Sequence, residues 1–543
     1  MRLLLAIVVL LAACRSPETV TRQDAVTADA IPEPEPDCAL RDPPDEESPE
    51  RDAPNHEPEP DCALCDPPDE KSPERDAPNH VPDSLSDPDL ASPPPTAWAS
   101  WQSALAAGSP AGIDAFLATW DGPVCDDARC LVVTRWDGAT DVRLRGEFNA
   151  WADTLPMTAV PFSPGVFWAG VDPPPPGRDD WQYKLFSAGE WRPDAQNRWI
   201  LFADVAVNSA MHRPGAGRIA AVRGVASPQL GNARDLYVAV PGEAFANPSR
   251  RFPVFYLQDG FNVFDNPAAP LGCWRVEHAA RTLAAAGEAE PVILVGVTTA
   301  DRLNEYLYTD LYIKLDAEPV QVTPKLEAYA AFLAGTVKPL IDASFPTRDG
   351  AADTAVGGSS LGGLSALWIA WNHPETFGKV ACLSGSLWVG EEGTGTDGHP
   401  SMREVLGNAP PSPDRAALRI YLDSGDSGAG GEGRADVPYA SDGRVYSDRV
   451  RNRLISLGWP NRPEWDDDGD LGTPPADLPA DTDVAGVPTL FWAAEVPPGY
   501  AGWDDFLGTG RRLLHLVGAG HEHNEAAWEA RFPAVLRFLF PAP

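Results

Sequence analysis

Positive charge is scarce in this chain. Lys and Arg number 42 against 79 Asp and Glu, for a formal net charge of −37. A nucleic-acid interface needs basic side chains to displace counterions from phosphates, so that class of partner is excluded. Long apolar runs are missing too. Beyond the N-terminus no stretch reaches the roughly 18 residues of a membrane-spanning helix, which excludes a transmembrane bundle. What is present is material for a core: 43% of the 543 residues are hydrophobic, so the chain is not wholly disordered. At about 150 residues per domain the length suggests three or four domains, but composition is very uneven along it.

Residues 1–14 read MRLLLAIVVLLAAC. One Arg followed by a short apolar run fits a signal-peptide h-region, too short to span a bilayer. Small residues before Cys14 resemble a bacterial lipobox, in which that Cys is lipidated. Acyl chains contribute about 0.8 kcal/mol per buried CH2, so several on one Cys would anchor the chain stably. The expected location is the bacterial cell envelope, lipid-anchored at the outer membrane or cell surface, where disulfides are permitted.

Residues 15–96 hold 23 Asp and Glu against 6 Lys and Arg, with 19 of the 58 prolines. That is close to half of the whole net charge. A 24-residue unit occurs twice, at Glu33 to His56 and Glu57 to His80. Low hydrophobicity, charge and Pro make this a disordered tether. Cys62-Ala-Leu-Cys65 has no second pair at zinc spacing, so the tether is read as a spacer and not a metal site. Further along, Cys125 and Cys130 flank a tight turn and are expected to pair. Cys273 and Cys382 lie in apolar surroundings and read as buried thiols.

Folding begins near Thr96. Trp98 to Ala107 and Gly112 to Trp120 have helical spacing, with Ser109-Pro110 as a start signal between them. Short strands punctuated by Pro and Gly follow, at Cys130–Thr134, Val142–Arg145, Val166–Trp168 and Trp181–Phe186, which suggests a β-sandwich over 97–225. From about Arg234 apolar strands alternate with helices: 236–240, 254–257, 291–297, 354–356, 380–383, 418–422 and 513–517. Strands without polar alternation, separated by helices, imply a mostly parallel sheet covered on both faces, an α/β fold over 230–543.

The strand Thr354–Val356 runs into Gly357-Gly-Ser-Ser360-Leu-Gly-Gly363 and then an apolar helix. Gly358-x-Ser360-x-Gly362 fits G-x-S-x-G in the strand–turn–helix context that motif needs. Ser359 is out of register because residue 361 is Leu. A serine on so sharp a turn projects its Oγ above the sheet at a helix N-terminus, whose dipole favours a developing oxyanion. Such a serine needs a base and an acid later in the chain. The base is His521 or His523, after the last strand. A His-x-His metal pair is set aside because no third ligand stands near. The acid follows the strand 418–422, with Asp423, Asp426, Glu432, Asp436 and Asp442 as candidates. The oxyanion donors would be the N–H groups of Leu361 and of Phe261, the latter beside Gly260 in the loop after an earlier strand.

Six segments resemble the esterase D family, which includes enterochelin and feruloyl esterases, S-formylglutathione hydrolases and mycolyltransferases. They are Phe255–Asn262, Arg302–Tyr306, Gly357–Gly363, Pro374–Gly378, Leu383–Trp388 and His523–Trp528. The resemblance implies an α/β-hydrolase fold and a Ser-His-Asp triad, with no cofactor. It selects His523, which the family's Trp follows five residues later, and Asp442, which directly precedes a helix; the insertion 426–441 departs from the family's compact loop. Upstream, GEFNAW (Gly146–Trp151), Trp168, Tyr183-Lys184 and Asp194–Asn197 resemble the early-set immunoglobulin-like module of glycogen-active enzymes, which also precedes the hydrolase in enterochelin-esterase-like proteins. Trp151 and Trp168 are read as core. Asp466–Asp470 is read as a solvated loop, since Leu471 stands where a calcium loop needs Gly. The function expected is ester hydrolysis through Ser360, His523 and Asp442 on a small-molecule or glycan-linked ester. The alternatives are a glycan- or siderophore-binding lipoprotein with an idle hydrolase domain, and an acyltransferase. Substrate identity and oligomeric state are not legible.

Overall fold

The computed structural model describes residues 96–203, 207–314, 319–391, 394, 396, 398–425, 441–457, 483–484, 487–493 and 512–542. Cys14, Cys38, Cys62, Cys65, the acidic stretch Asp466–Asp470 and the candidate acids Asp426, Glu432 and Asp436 lie outside them.

Two helices open the described chain. Helix α1 (Ala97–Ala106) is capped by Thr96, whose Oγ1 accepts from Ala99 N–H at 3.2 Å. Helix α2 (Pro110–Ala118) is capped by Ser109, whose Oγ accepts from Gly112 N–H at 3.3 Å, with Pro110 as its first residue. Strands β1 (Cys130–Arg135), β2 (Arg143–Gly146), β3 (Val166–Val171), β4 (Asp180–Ser187), β5 (Trp199–Phe202) and β6 (Val207–His212) follow. Strands β1 and β3 pair with each other and are covered on both faces. Trp101 and Ile113 of the helices meet Leu131, Val133 and Val166 on one side. Leu144, Tyr183, Leu185 and Met211 of β2, β4 and β6 meet Val132 and Phe167 on the other. A disulfide joins Cys125 to Cys130. Its turn is closed by Asp126, whose Oδ1 accepts from the N–H groups of Ala128 and Arg129, both at 2.8 Å.

Three expectations need correction here. Trp151 is not core: its backbone is left-handed (φ 62°), and its ring lies partly exposed, 6.4 Å from exposed Trp191. Trp168 is only partly buried, held edge-on against Trp98 at 5.7 Å. Cys382 is buried as expected, but Cys273 is partly exposed.

The second half of the chain supplies β7 (Arg218–Ser227), β8 (Asn232–Val240), β9 (Val254–Leu257), β10 (Ile293–Val297), β11 (Thr354–Ser359), β12 (Lys379–Leu383), β13 (Arg419–Gly425), β14 (Val487–Ala493) and β15 (Leu513–Ala519). The sheet order is β14–β15–β13–β12–β11–β9–β10–β8–β7. Pairing is parallel from β14 to β10 and antiparallel at β10–β8 and β8–β7. This is the expected α/β-hydrolase sheet. It continues without a break through β5, β6, β4 and β2, because β7 also pairs with β5 at Ile219↔Ile200 and Ala220↔Trp199.

Helices α3 (Val276–Ala286) and α6 (Glu525–Leu539) cover one face of the parallel strands, and α4 (Leu361–Asn372) and α5 (Arg444–Ser456) the other. Val254 and Tyr256 point to one core, Phe255 and Leu257 to the opposite one. All four are buried, which is why the strand reads as an unbroken apolar run.

Strand β11 runs directly into Ser360, which has φ 56° and ψ −124°, and α4 starts at the next residue. A Cβ on Gly358 would lie 2.8 Å from both Gln258 Cβ and the Gly362 carbonyl, and one on Gly362 would lie 3.0 Å from Gln258 Cβ. The glycines flanking Ser360 are therefore required by contact. Gly358→Ala is expected to cost about 1–3 kcal/mol by overpacking, read as a lower urea midpoint. Gly350→Ala, where a Cβ meets nothing within 4 Å, is expected to stay within about 0.5 kcal/mol of the parent. Equal effects would refute the packing argument.

Candidate active site

Ser360 stands at the carboxyl end of the central strand. Its N–H donates to the Leu383 carbonyl at 3.0 Å, and its own carbonyl accepts from Ser386 N–H at 2.9 Å and Leu364 N–H at 3.1 Å. Among the described residues its hydroxyl contacts Ser386 Oγ at 3.3 Å and makes no bond to His523. Leu361 is the first residue of α4, so its N–H has no intrahelical acceptor.

The loop after β9 packs against the elbow. Gln258 is the side chain that a Cβ on Gly358 or Gly362 would strike, and the Asp259 carboxylate is the next nearest group to Gly362. Asp259 is itself in left-handed backbone (φ 56°) and is fixed from two sides. Arg302 grips its carboxylate with two bonds of 2.8 Å, and its N–H donates to Tyr306 Oη at 3.0 Å. The next turn is closed by Gly260 N–H to the Val297 carbonyl and Asn262 N–H to the Asp259 carbonyl, both at 3.0 Å. The N–H of Phe261 lies between these two and has no acceptor among the described residues, while its ring is 42% exposed. Gly260 cannot be replaced, because a Cβ would sit 2.5 Å from the Gly296 carbonyl carbon.

Asp442 occupies a left-handed turn (φ 52°) just before α5, and its carboxylate is buried. His523 Nδ1 lies 2.6 Å from its Oδ1. Its Oδ2 accepts from Ser384 Oγ at 2.6 Å and from Gly425 N–H. Burial alone would raise this carboxyl, but the hydrogen bond and charge of His523, the charge of Arg531 and the bond from Ser384 hold it below the ordinary range. With Nδ1 donating to Asp442, His523 presents Nε2 as an acceptor. The imidazole stands edge-on to Trp528, centroids 5.1 Å apart. The two residues chosen through the resemblance are thus in direct contact. His521 instead turns its Nδ1 toward Arg531 Nη1, at 3.3 Å. Asp423, another candidate acid, is the buried partner of Arg531 (2.9 and 3.2 Å) and accepts from Tyr421 Oη at 2.9 Å.

Sequence reasoning missed Ser384, Arg531 and Glu525. Ser384 lay within a recognised segment but had no role. Arg531 carries no local signal, since Asp423 and Ser384, the partners that bury it beside the acid, are 108 and 147 residues away. Glu525, two residues after His523, is buried by the first turn of α6 and accepts from Asn262 Nδ2 at 3.3 Å. Burial pushes its carboxyl up to about 7. Among the described residues no group of three His, Cys, Asp or Glu side chains is placed to hold a metal ion. A cavity of about 480 Å3 lies elsewhere, bordered by His212, Arg218 and Glu277, and none of the candidate site residues lines it.

Residues 227–454 match a family model described as a putative esterase. The iron(III) enterobactin esterase of Escherichia coli K12 is 40% identical over 87 residues, 16% of this chain and 21% of that protein. The iron(III) salmochelin esterase of Escherichia coli O6:H1 is 29% identical over 199 residues, 35% of this chain and 42% of that protein. The chain spans between 21% and 54% of the length of the curated relatives it matches. A solved ferric enterobactin esterase from Salmonella typhimurium aligns over 78% of this chain and 98% of its own, with 16% identity and a TM-score of 0.36. The segment 227–454 is thus similar to putative esterases, and the sheet it contributes to has the α/β-hydrolase arrangement.

Proposed function

We propose that this protein is a serine esterase that works through an acyl-enzyme. The observation that carries the reading is the buried Asp442–His523 pair at 2.6 Å, on the same sheet end as a serine held in left-handed backbone. His523 Nε2 takes the Ser360 proton as Oγ attacks the ester carbonyl. Asp442 holds the tautomer and stabilises the imidazolium. The N–H groups of Leu361 and Phe261 receive the oxyanion, and the proton returns through His523 to the leaving alcohol. Water then attacks the acyl-enzyme by the same route. Resting Ser360 is bonded to Ser386, so substrate binding turns its hydroxyl toward His523; such bonds commonly tighten only in the complex. Lipidation at Cys14 and the tether 15–96 would hold this site on the envelope surface.

A second reading concerns what the ester is attached to. Partly exposed Trp151 and exposed Trp191 stand 6.4 Å apart with their ring planes inclined by 51°, so each offers an indole face for stacking on a sugar ring. This favours a glycan-linked ester over a free small one. Trp191→Ala is expected to abolish retardation of the protein in glycan-containing gels while leaving turnover of a small ester intact; unchanged retardation rejects this reading.

Ser360→Ala is expected to abolish hydrolysis of p-nitrophenyl butyrate and labelling by a fluorophosphonate. Residual turnover close to that of the parent would exclude the serine mechanism. The raised carboxyl of Glu525 gives the site a pH signature. Between the ordinary value near 4.5 and about 7 the folded state binds more protons there than the unfolded chain, so stability falls as pH rises through that window. Glu525→Gln removes this contribution. Its stability relative to the parent should therefore improve from pH 5 to pH 8 in urea unfolding, and a constant difference would refute the assignment.

A further inference from the structure

The chain leaving β12 touches both the nucleophile and the acid of the proposed triad. Leu383 accepts from Ser360 N–H at 3.0 Å, and Ser386 donates its N–H to the Ser360 carbonyl at 2.9 Å and places its hydroxyl 3.3 Å from the nucleophile. Between them lies Ser384, buried and in left-handed backbone (φ 41°). Its N–H donates to Asp423 Oδ1 at 2.8 Å. Gly385 follows because any Cβ there would fall 2.4 Å from Cys382 Sγ.

The Ser384 hydroxyl has three partners: Trp528 Nε1 at 3.0 Å, Arg531 Nη2 at 2.7 Å and Asp442 Oδ2 at 2.6 Å. Indole N–H and guanidinium can only donate, and a hydroxyl has one proton and two lone pairs. Trp528 and Arg531 therefore occupy both lone pairs, and the single proton has one place to go, Asp442 Oδ2. Oδ2 is then satisfied by Ser384 and Gly425 N–H, and Oδ1 is the oxygen left facing His523. Trp528 and Arg531 belong to α6, the helix that His523 precedes by two residues, so the same hydroxyl ties the acid to the base-bearing element.

On the serine-esterase reading, we propose that Ser384 is a positioning residue. It donates to Asp442 with a direction fixed by Trp528 and Arg531, holds Oδ1 on His523, and through Gly385-Ser386 sets the spacing between acid and nucleophile.

The test is a double-mutant cycle on the full-length protein with p-nitrophenyl butyrate. Ser384→Ala should lower kcat about ten- to a hundredfold, the range expected for one hydrogen bond to a charged group. KM should change less than about twofold, because Ser384 does not face substrate. In an Asp442→Asn background the same change should add less than about twofold, since its effect runs through Asp442. A merely structural role would give the same loss in both backgrounds, and that result, or parental kcat in Ser384→Ala, overturns the proposal. Should Ser384→Ala fail to fold by circular dichroism, Trp528→Phe removes one of the two fixing donors and keeps a ring. It should lower kcat several-fold, again only where Asp442 is intact, and an unchanged or additive effect overturns the proposal equally. Turnover that survives Ser360→Ala would instead reject the esterase reading itself.

Discussion

Ser360 sits in backbone that L-residues avoid, and the rest of the hydrolase half is arranged so that it cannot relax. A left-handed or otherwise sparse conformation costs of the order of 1–3 kcal/mol. It persists only where the surroundings over-determine it. Here β11 is laddered on both sides, to β9 from Val254↔Thr354 to Leu257↔Gly357 and to β12 from Ala355↔Lys379 to Ser359↔Leu383. Helix α4 is buried along nearly its whole length and fixes the far side of the turn. The two flanking glycines are then a consequence: once strand and helix are locked, Gln258 leaves no room for a Cβ.

The same sheet end concentrates buried charge. Arg531 has no exposed side-chain surface, and two carboxylates approach it, Asp423 at 2.9 Å and Asp442 at 3.8 Å. Their surroundings drive them apart. For Asp423, burial outweighs Arg531 and its other donors and pushes the carboxyl up. For Asp442, His523 and Ser384 add to Arg531, and the balance tips the other way. Removing one partner from such a group typically costs about 3–5 kcal/mol, because the remaining charge is stranded. The arrangement is thus costly to disturb, and it keeps the Asp442 carboxylate ionised and fixed in place beside an imidazole.

How much of this was legible depended on the range of the interaction. The parallel strands were plain because both faces are buried, so Val254–Leu257 and Ile293–Val297 are apolar throughout. The elbow was plain because strand, turn and helix are contiguous. Strand β7 was not: a bulge between Val222 and Val225, with Gly224 in left-handed backbone, breaks the alternation that would have marked it. Trp151 was misread because aromatic character suggests burial, whereas a left-handed turn carries its ring outward. Spacing alone left Asp442 and His523 among rivals, and a family landmark separated them. The Ser384 hydrogen bonds to Trp528 and Arg531 span 144 and 147 residues, beyond any local pattern.

The missed strand β7 also changes what the N-terminal strands are to the hydrolase. It pairs with β8 along most of its length and with β5 at Ile219↔Ile200 and Ala220↔Trp199, so the two sheets are one hydrogen-bonded surface. Trp199 of β5 is buried in the same core as Val240, Phe252 and Val254, and stands edge-on to Phe245 at 5.5 Å. Arg281 of α3 reaches back to Asp179, the residue before β4, at 3.0 Å. A cut between 225 and 230 would sever β7 from β8, expose a strand edge and empty the Trp199 site. Exposed edges invite non-native pairing, and a vacated aromatic site commonly costs about 3–5 kcal/mol. The upstream strands are therefore part of the scaffold that holds the sheet, and any aromatic platform they carry is fixed rigidly relative to Ser360 instead of swinging on a linker.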